Sequence, residues 1–321
     1  MVQQGTIVSL ARGQYRLRAP LGGSAYGAVW RADGPLAGGA VAIKLVNTTQ
    51  MARAPAGLRH HWIDSARAEQ AFLAGLAPWD GRHIVRLLDS GSHAGLPAMA
   101  LELLDGDLGA HLTAERAAGR APSAPQALAW ASQVNQALAK VHAAGLRYLD
   151  LKPGNLLLER RSGTLRLADF GSSRPLRGGA PHDYGGTPGW QAPEQFFPHA
   201  DGLYRTDPRS DYFALGALLY WMACGRKLRY GSACADAYAS HGRAGAGILL
   251  RVHGALPPTL GADEAAAFAQ AFGAAGAQAQ DLLRTLLAPL PAGRPRHALE
   301  ISRMLDALRA DYAGPALRRA A

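Results

Sequence analysis

The hydrophobic pattern of this chain changes period once, near residue 105, and that change limits what it can fold into. Before it, apolar residues come in short bursts of strand character: Tyr15-Arg-Leu-Arg-Ala, Ala28-Val-Trp-Arg-Ala, a Gly34-Pro35 turn, then Val41-Ala-Ile-Lys-Leu-Val46. β-branched and aromatic residues bounded by Gly and Pro suit a pleated, half-buried segment. Residues 62–76 take helical spacing, with Ile63, Ala66, Gln70, Leu73 and Leu76 on one face. Two more strand-like runs, 84–88 and 99–103, are separated by Ser-Gly-Ser-His-Ala-Gly. This part predicts an antiparallel sheet with one helix.

Beyond Asp105 the pattern is helical. Ser123-Ala-Pro-Gln126 is a capping start with Pro in the first turn, Leu128, Ala131, Val134, Leu138 and Val141 follow on one face, and Gly145 is the stop. Further helices are expected at 210–224, 263–272, 277–288 and 297–310; the Ala/Gly-rich stretch 262–280 keeps Phe268, Phe272 and Leu282 and should be ordered. The class is α+β: a small β-rich lobe, then a larger helical lobe, joined near 102–107. With 321 residues, 48% of them hydrophobic and only 18% charged, the chain has ample core and lacks the signature of disorder.

The formal charge of +10 raises nucleic acid or an anionic membrane as partners, but the basic residues are scattered. The densest run, Arg226-Lys227-Leu228-Arg229, is short and has no interleaved aromatics, which argues against both. Cys224 and Cys234 match no ligand or redox spacing and should be free thiols. His60-His61 and the other histidines form no metal-ligand spacing, and Tyr220-Trp221-Met222 reads as helix core. No signal peptide is evident, and the apolar stretch 212–224 is short of the ~20 residues a membrane span needs, so a cytoplasmic protein is expected.

Chemistry concentrates in three places. Leu21-Gly-Gly-Ser-Ala-Tyr-Gly-Ala-Val29 lies between two strand bursts, where small residues let backbone N–H groups approach phosphate oxygens; alone, it could equally be only a hairpin. Lys44 sits inside an apolar strand, and a buried ammonium needs an anionic partner: Glu69 on the following helix is one candidate and a nucleotide phosphate is another. Asp150-Leu-Lys152-Pro-Gly-Asn155, followed by Asp169-Phe-Gly171, puts two carboxylates, an ammonium and a carboxamide at loop positions between apolar runs. Phosphoryl transfer needs that set: an acceptor for a hydroxyl proton, a cation for the migrating group, and oxygen ligands for Mg²⁺.

These motifs, in this order, resemble the eukaryotic-type (Hanks-type) Ser/Thr protein kinase family in its bacterial-like form, over about residues 15–310. The resemblance implies a bilobal protein kinase-like fold, with an N-lobe at 15–104, a C-lobe at 105–310, and short tails at 1–14 and 311–321. It implies ATP and Mg²⁺ as cofactors, with protein as the second substrate. Leu21, Gly22, Ser24, Gly27 and Val29 would form the phosphate loop, and Lys44 with Glu69 the phosphate-holding pair. Glu102 and Leu103 would pair the adenine edge, and Ala42, Val29 and Leu157 would sandwich the purine. Asp150 would position and deprotonate the acceptor hydroxyl, Lys152 would assist as in Ser/Thr-directed members, and Asn155 and Asp169 would ligate Mg²⁺. Glu194 of Ala192-Pro-Glu194 should pair with Arg294, and Asp211 should anchor the catalytic loop.

The chain departs from the family pattern twice. Ser24 stands where a second glycine is usual, with no evident partner for its hydroxyl. Tyr148-Leu149 stands where His-Arg is common, and Leu149 has no guanidinium to hold a phosphate on the activation segment. The segment offers Ser172, Ser173, Tyr184 and Thr187, of which Thr187 should support the substrate site by hydrogen bonding; Arg174 and Arg177 would be the other basic groups able to read a phosphate. The expected function is Mg-dependent transfer of the γ-phosphoryl of ATP to protein Ser/Thr hydroxyls without need of activation-segment phosphorylation. The alternative is a pseudokinase or ATP-binding scaffold. A small-molecule phosphotransferase should lack the Gly-Thr-Pro and Ala-Pro-Glu runs, and both are present.

Overall fold

The computed structural model describes residues 2–24, 26–35, 39–77, 79, 81–176 and 182–312. Arg177 and the tail beyond 312 lie outside them. The chain divides into two compact units, residues 1–105 with 167–173, and residues 106–166 with 174–321.

The first unit is a six-stranded antiparallel sheet of order β1-β2-β3-β4-β6-β5, formed by β1 (Ile7–Leu10), β2 (Gly13–Gly23), β3 (Gly27–Asp33), β4 (Ala40–Val46), β5 (Leu87–His93) and β6 (Leu96–Glu102). Helices α1 (Thr48–Arg53) and α2 (His60–Gly75) lie between β4 and β5. Residues 1–14, expected as a tail, instead supply β1: Val8 is fully buried with Tyr15, Leu17, Ile43 and Ala98 in the sheet's core. The strand expected at 84–88 starts later than its apolar run. Ile84 makes only an isolated bridge to Leu167, and β5 continues through Ser90-Gly-Ser-His93 into a tight turn at Ala94 and Gly95, both with positive φ (50° and 77°). A two-residue turn of that hand matches the twist of paired strands, so polar residues that look like a loop are strand.

β4 is buried on both faces. Val41, Ile43 and Leu45 enter the core cluster, so Ala42 and Lys44 point to the other face by the two-residue period. Val29 of β3 is directly opposite Lys44 and joins that face.

The second unit is mainly helical: α3 (Leu108–Ala117), α4 (Ala124–Ala143), α5 (Pro193–Phe196), α6 (Pro208–Cys224), α7 (Arg229–His241), α8 (Gly245–His253), α9 (Ala262–Ala271), α10 (Gly276–Leu286) and α11 (Ala298–Tyr312). Its short strands are β7 (Leu146–Arg147), which pairs with β10 (Arg174–Pro175), and β8 (Leu156–Glu159), which pairs with β9 (Thr164–Leu167). Ser123 Oγ accepts from the Gln126 N–H at 3.3 Å and starts α4, and Gly145 (φ 81°) follows its end. The apolar run 212–224 lies in α6, which has twelve of its 17 residues buried and packs on α4, α9 and α10. A Cβ at Gly216 would stand 2.8 Å from Leu286 Cβ, so glycine is what lets α10 close on α6. No helix among the described residues is long and apolar enough to cross a membrane.

Candidate active site

In the first unit, Lys44 Nζ donates to both oxygens of Glu69 (2.7 and 2.6 Å) and to Asp169 Oδ1 (2.7 Å). Glu69 is only 2% exposed and lines the buried face of α2 with Phe72 and Leu73. Its Oε1 also accepts from the Phe170 N–H at 3.2 Å, and the Phe170 ring packs 4.7 Å from Phe72. Burial alone would depress the Lys44 ammonium, but the Asp169 and Glu69 carboxylates outweigh it and hold the group above its ordinary value. Burial pushes the Glu69 carboxyl up, against the pull of Lys44. Asp169 has φ 60°, a left-handed conformation uncommon outside glycine. One ammonium thus ties the sheet, the helix and the 167–173 segment.

The loop from Leu21 to Val29 is the end of β2, a turn, and the start of β3. Leu21 is half exposed, and Gly22 has φ 149°. The expectation that the Ser24 hydroxyl lacks a partner is corrected: its Oγ accepts from the Gly27 N–H at 3.1 Å, while the Ser24 N–H donates to Gly27 O at 2.7 Å. Asn47 Nδ2 adds a bond to Ser24 O at 2.9 Å. The hydroxyl closes the turn, a common habit of serine beside its own backbone, and no sequence rule separates that from a bystander. Glu102 ends β6 opposite Val41, its N–H donating to Arg86 O (3.0 Å) and its carboxylate accepting from the Arg86 N–H (2.8 Å); Leu103 follows it, half buried.

In the second unit, Asp150 is the centre of a polar cluster. Its Oδ1 accepts from Thr187 Oγ1 at 2.6 Å, and its Oδ2 accepts from Lys152 Nζ at 2.8 Å and Asn155 Nδ2 at 3.0 Å. Lys152 Nζ also donates to Thr187 Oγ1 at 2.6 Å, which brings the hydroxyl expected to support a substrate site onto the carboxylate itself. Asn155 spends its amide nitrogen on Asp150, leaving its carboxamide oxygen for another partner. Leu157 is half buried on β8, where it bridges Asp107.

Asp211, 1% exposed on α6, holds the strand-like approach to Asp150. Its Oδ2 accepts from the Tyr148 N–H (2.8 Å) and lies 2.8 Å from His142 Nε2, and its Oδ1 accepts from the Leu149 N–H (2.7 Å). Gln195 Nε2 donates to Leu149 O at 3.0 Å. These bonds fix Leu149 at φ 66°, a conformation that costs a bulky residue about 1–3 kcal/mol and persists only where surroundings over-determine it. Glu194 and Arg294 form a two-bond pair at 2.6 and 2.9 Å, with the Arg294 side chain fully buried.

The segment after residue 173 is held by Trp190, which the sequence reading expects to pack with Pro188 and give the segment order, and by contacts of His182, Tyr184 and Arg147 that sequence reasoning does not single out. His182 and Tyr204 exchange backbone bonds (3.0 Å each), Tyr184 stacks on Tyr238 at 4.9 Å, and Tyr184 OH donates to Gln191 Oε1 at 2.7 Å. Arg147 is buried and donates to Thr206 O, to Thr206 Oγ1 (3.0 Å) and to Pro175 O (2.9 Å). Trp190 is buried edge-on to Trp221 at 6.0 Å.

A family model described as the protein kinase domain matches residues 15–305. The chain belongs to the protein kinase family. Among curated relatives, the serine/threonine-protein kinase Pkn1 of Myxococcus xanthus is 31% identical over 231 residues, covering 70% of this chain and 30% of its own length. The DNA damage-responsive serine/threonine-protein kinase RqkA of Deinococcus radiodurans is 35% identical over 227 residues, covering 68% of this chain and 30% of its own. The serine/threonine-protein kinase PkaA of Streptomyces coelicolor is 32% identical over 231 residues, 66% of this chain and 39% of its own. The chain spans about a third of the length of these relatives.

Proposed function

We propose that this chain is an ATP-dependent Ser/Thr protein kinase; the observation that carries the reading is the Asp150 carboxylate held by Lys152, Thr187 and Asn155. A carboxylate in that setting takes the proton of an acceptor hydroxyl, which is worth about 10²–10⁴ in rate when geometry is right. Lys152, one bond from the same oxygen, places positive charge where the migrating phosphoryl develops its own. Lys44 holds the nucleotide phosphates, with Glu69 and Asp169 fixing its position. Ala42 and Val29, on the Lys44 face of the sheet, offer an apolar surface to the purine, and Glu102 and Leu103 offer backbone groups to its edge; the same role for Leu157, in the second unit, rests on the family resemblance.

Mg²⁺ fits the residues present. Among the described residues no three His, Cys, Asp or Glu gather as a metal cage, and Mg²⁺ requires none: one or two protein oxygens and substrate phosphates suffice. Asp169 in the first unit and the carboxamide oxygen of Asn155 in the second are the oxygen donors that would hold the ion, which would supply positive charge to the phosphates. Asp169→Ala is expected to abolish Mg-dependent transfer from labelled ATP. Unchanged Mg²⁺ dependence in that variant would remove the ligand role.

Activation-segment phosphorylation is not required in this reading. Leu149 offers no guanidinium, and the buried Arg147 is already committed to neutral oxygens. The Tyr184–Tyr238 stack, the Thr187–Asp150 bond and the Glu194–Arg294 pair supply order without a phosphate. Phosphatase-treated enzyme and the Ser172→Ala, Ser173→Ala double variant should both match untreated turnover on one peptide; Tyr184 is left intact because it anchors Gln191. Restoration of a nearly dead, phosphatase-treated enzyme by rephosphorylation would sink the idea.

Ser24→Gly tests the phosphate loop. Losing the bond to Gly27 should raise KM for ATP about two- to fivefold, the size of one partly buried hydrogen bond of about 0.5–1 kcal/mol. An equal or lower KM would mean that the hydroxyl does not shape the loop.

A further inference from the structure

The run Arg226-Lys227-Leu228-Arg229 has no part in the chemistry above. Its arginines are engaged: Arg226 Nε donates to Tyr220 OH at 3.1 Å, and Arg229 pairs with Asp263 and lies 3.8 Å from Glu264. Lys227 takes part in no ion pair or hydrogen bond among the described residues and is exposed. Its ammonium is nevertheless placed. It lies 5.4 Å from the centroid of the Trp190 ring and 3.5 Å from where a Cβ on Gly189 would stand. An ammonium over an indole face is held by the ring quadrupole while its outer side keeps its donors.

The segment beneath Lys227 is closely packed. Gly189 (φ 93°) sets its carbonyl so close to Gly231 of α7 that any side chain there would collide with it. Trp221, against Trp190, is itself covered by the Arg116 guanidinium at 4.5 Å. Two residues before Gly189, Thr187 bonds to Asp150. Thr187 to Trp190 is a hydrogen-bonded turn (Trp190 N–H to Thr187 O, 3.3 Å), so Gly189 stands nearer to Thr187 than the about 7 Å that two extended residues would span, and an extended peptide laid along the segment advances about 3.3–3.6 Å per residue. Side chains within about three positions of the reacting hydroxyl therefore pass the ammonium.

We infer that Lys227 is a specificity-determining residue that selects acceptor peptides bearing a carboxylate within about three positions of the phosphorylated hydroxyl. The inference rests on the kinase reading above. It uses the one cation of the run that has neither an ion pair nor a hydrogen bond among the described residues, and the excess positive charge of the chain acts in the same direction on approach.

The test uses the full chain and a series of serine peptides of neutral sequence, identical except for Glu, Gln or Lys at each of the three positions on either side of the serine. The readout is the ratio of kcat/KM between peptides. At one or more positions Glu should exceed Gln by about three- to tenfold at low salt, the range for a partly exposed charged pair, and the ratio should shrink as salt rises. Lys227→Gln should bring the ratio to unity, and Lys227→Glu should turn it in favour of the Lys peptide. If Lys227→Glu fails to fold, the ratios of Lys227→Gln alone decide. A lysine that only packs on Trp190 would change all peptides in proportion; unaltered ratios, or equal use of Glu and Gln by wild type, overturn the selection and leave the kinase reading standing. No transfer to any peptide or to the chain itself overturns both.

Discussion

Lys44→Met is expected to stop phosphoryl transfer and to destabilise the protein at the same time. Removing a positive charge that is aimed at developing phosphate charge commonly costs two to three decades in rate, about 3–4 kcal/mol. The structure adds the second effect. Lys44 Nζ bridges Glu69 and Asp169, so its loss leaves two carboxylates facing each other, one of them almost wholly buried. Breaking a buried pair from one side costs about 3–5 kcal/mol, and the partial exposure of Asp169 puts this case toward the lower end. The variant should also acquire a pH dependence. Burial already raises the Glu69 carboxyl, and without Lys44 the folded state would hold a proton there that the unfolded chain releases. Stability of the variant should therefore grow as pH falls from neutrality toward the ordinary glutamate range and be lost as pH rises. Adding Glu69→Gln should recover much of the melting temperature and none of the turnover. A Lys44→Met enzyme that keeps more than about a tenth of wild-type turnover would refute the role.

Arg294→Ala should produce the largest loss of stability from a residue remote from the chemistry. Its guanidinium is fully buried and uses its donors on both oxygens of Glu194 and on the carbonyls of Ala288, Arg209 and Pro289 (2.8–3.1 Å). It also covers the Phe213 ring at 5.0 Å, and Ser210 Oγ donates to Glu194 Oε1 at 2.6 Å. Alanine would leave an uncompensated carboxylate and three carbonyls, about 3–5 kcal/mol, or roughly 6–15 °C in melting temperature. Arg294→Lys should rescue little, since a point charge cannot serve a planar fork of donors. A shift of less than about 2 °C for Arg294→Ala would show the pair to be dispensable.

What the sequence makes legible follows from how each feature is encoded. β4 and α4 carry apolar residues at clean periods, and Lys44 is conspicuous because an ammonium in such a run demands partners. Glu69 is within reach for the same reason. β1 escapes because four residues with one buried side chain carry almost no pattern, and β5 because its Ser and Gly residues resemble a loop until the turn at Ala94 and Gly95 is seen. α7 and α8 escape for a packing reason. Gly231 and Gly245 are small because neighbouring backbone, at Gly189 and Ala237, comes too close for any side chain, and small residues selected for contact blur the helical stripe. The committed state of Arg147, the Ser24 turn and the Tyr184 stack depend on partners 3 to 59 residues away, which no local spacing reports.

The kinase reading is tested most directly by transfer from γ-labelled ATP to a protein acceptor by wild type and by Asp150→Asn, with analysis of which amino acid carries the label and a separate measurement of ATP binding. The expected result is label on Ser or Thr and none on Tyr, a loss of about two to four decades in rate for Asp150→Asn, and little change in its Kd for ATP. Equal transfer by Asp150→Asn, or an ATP-bound wild type that labels no hydroxyl, would contradict it.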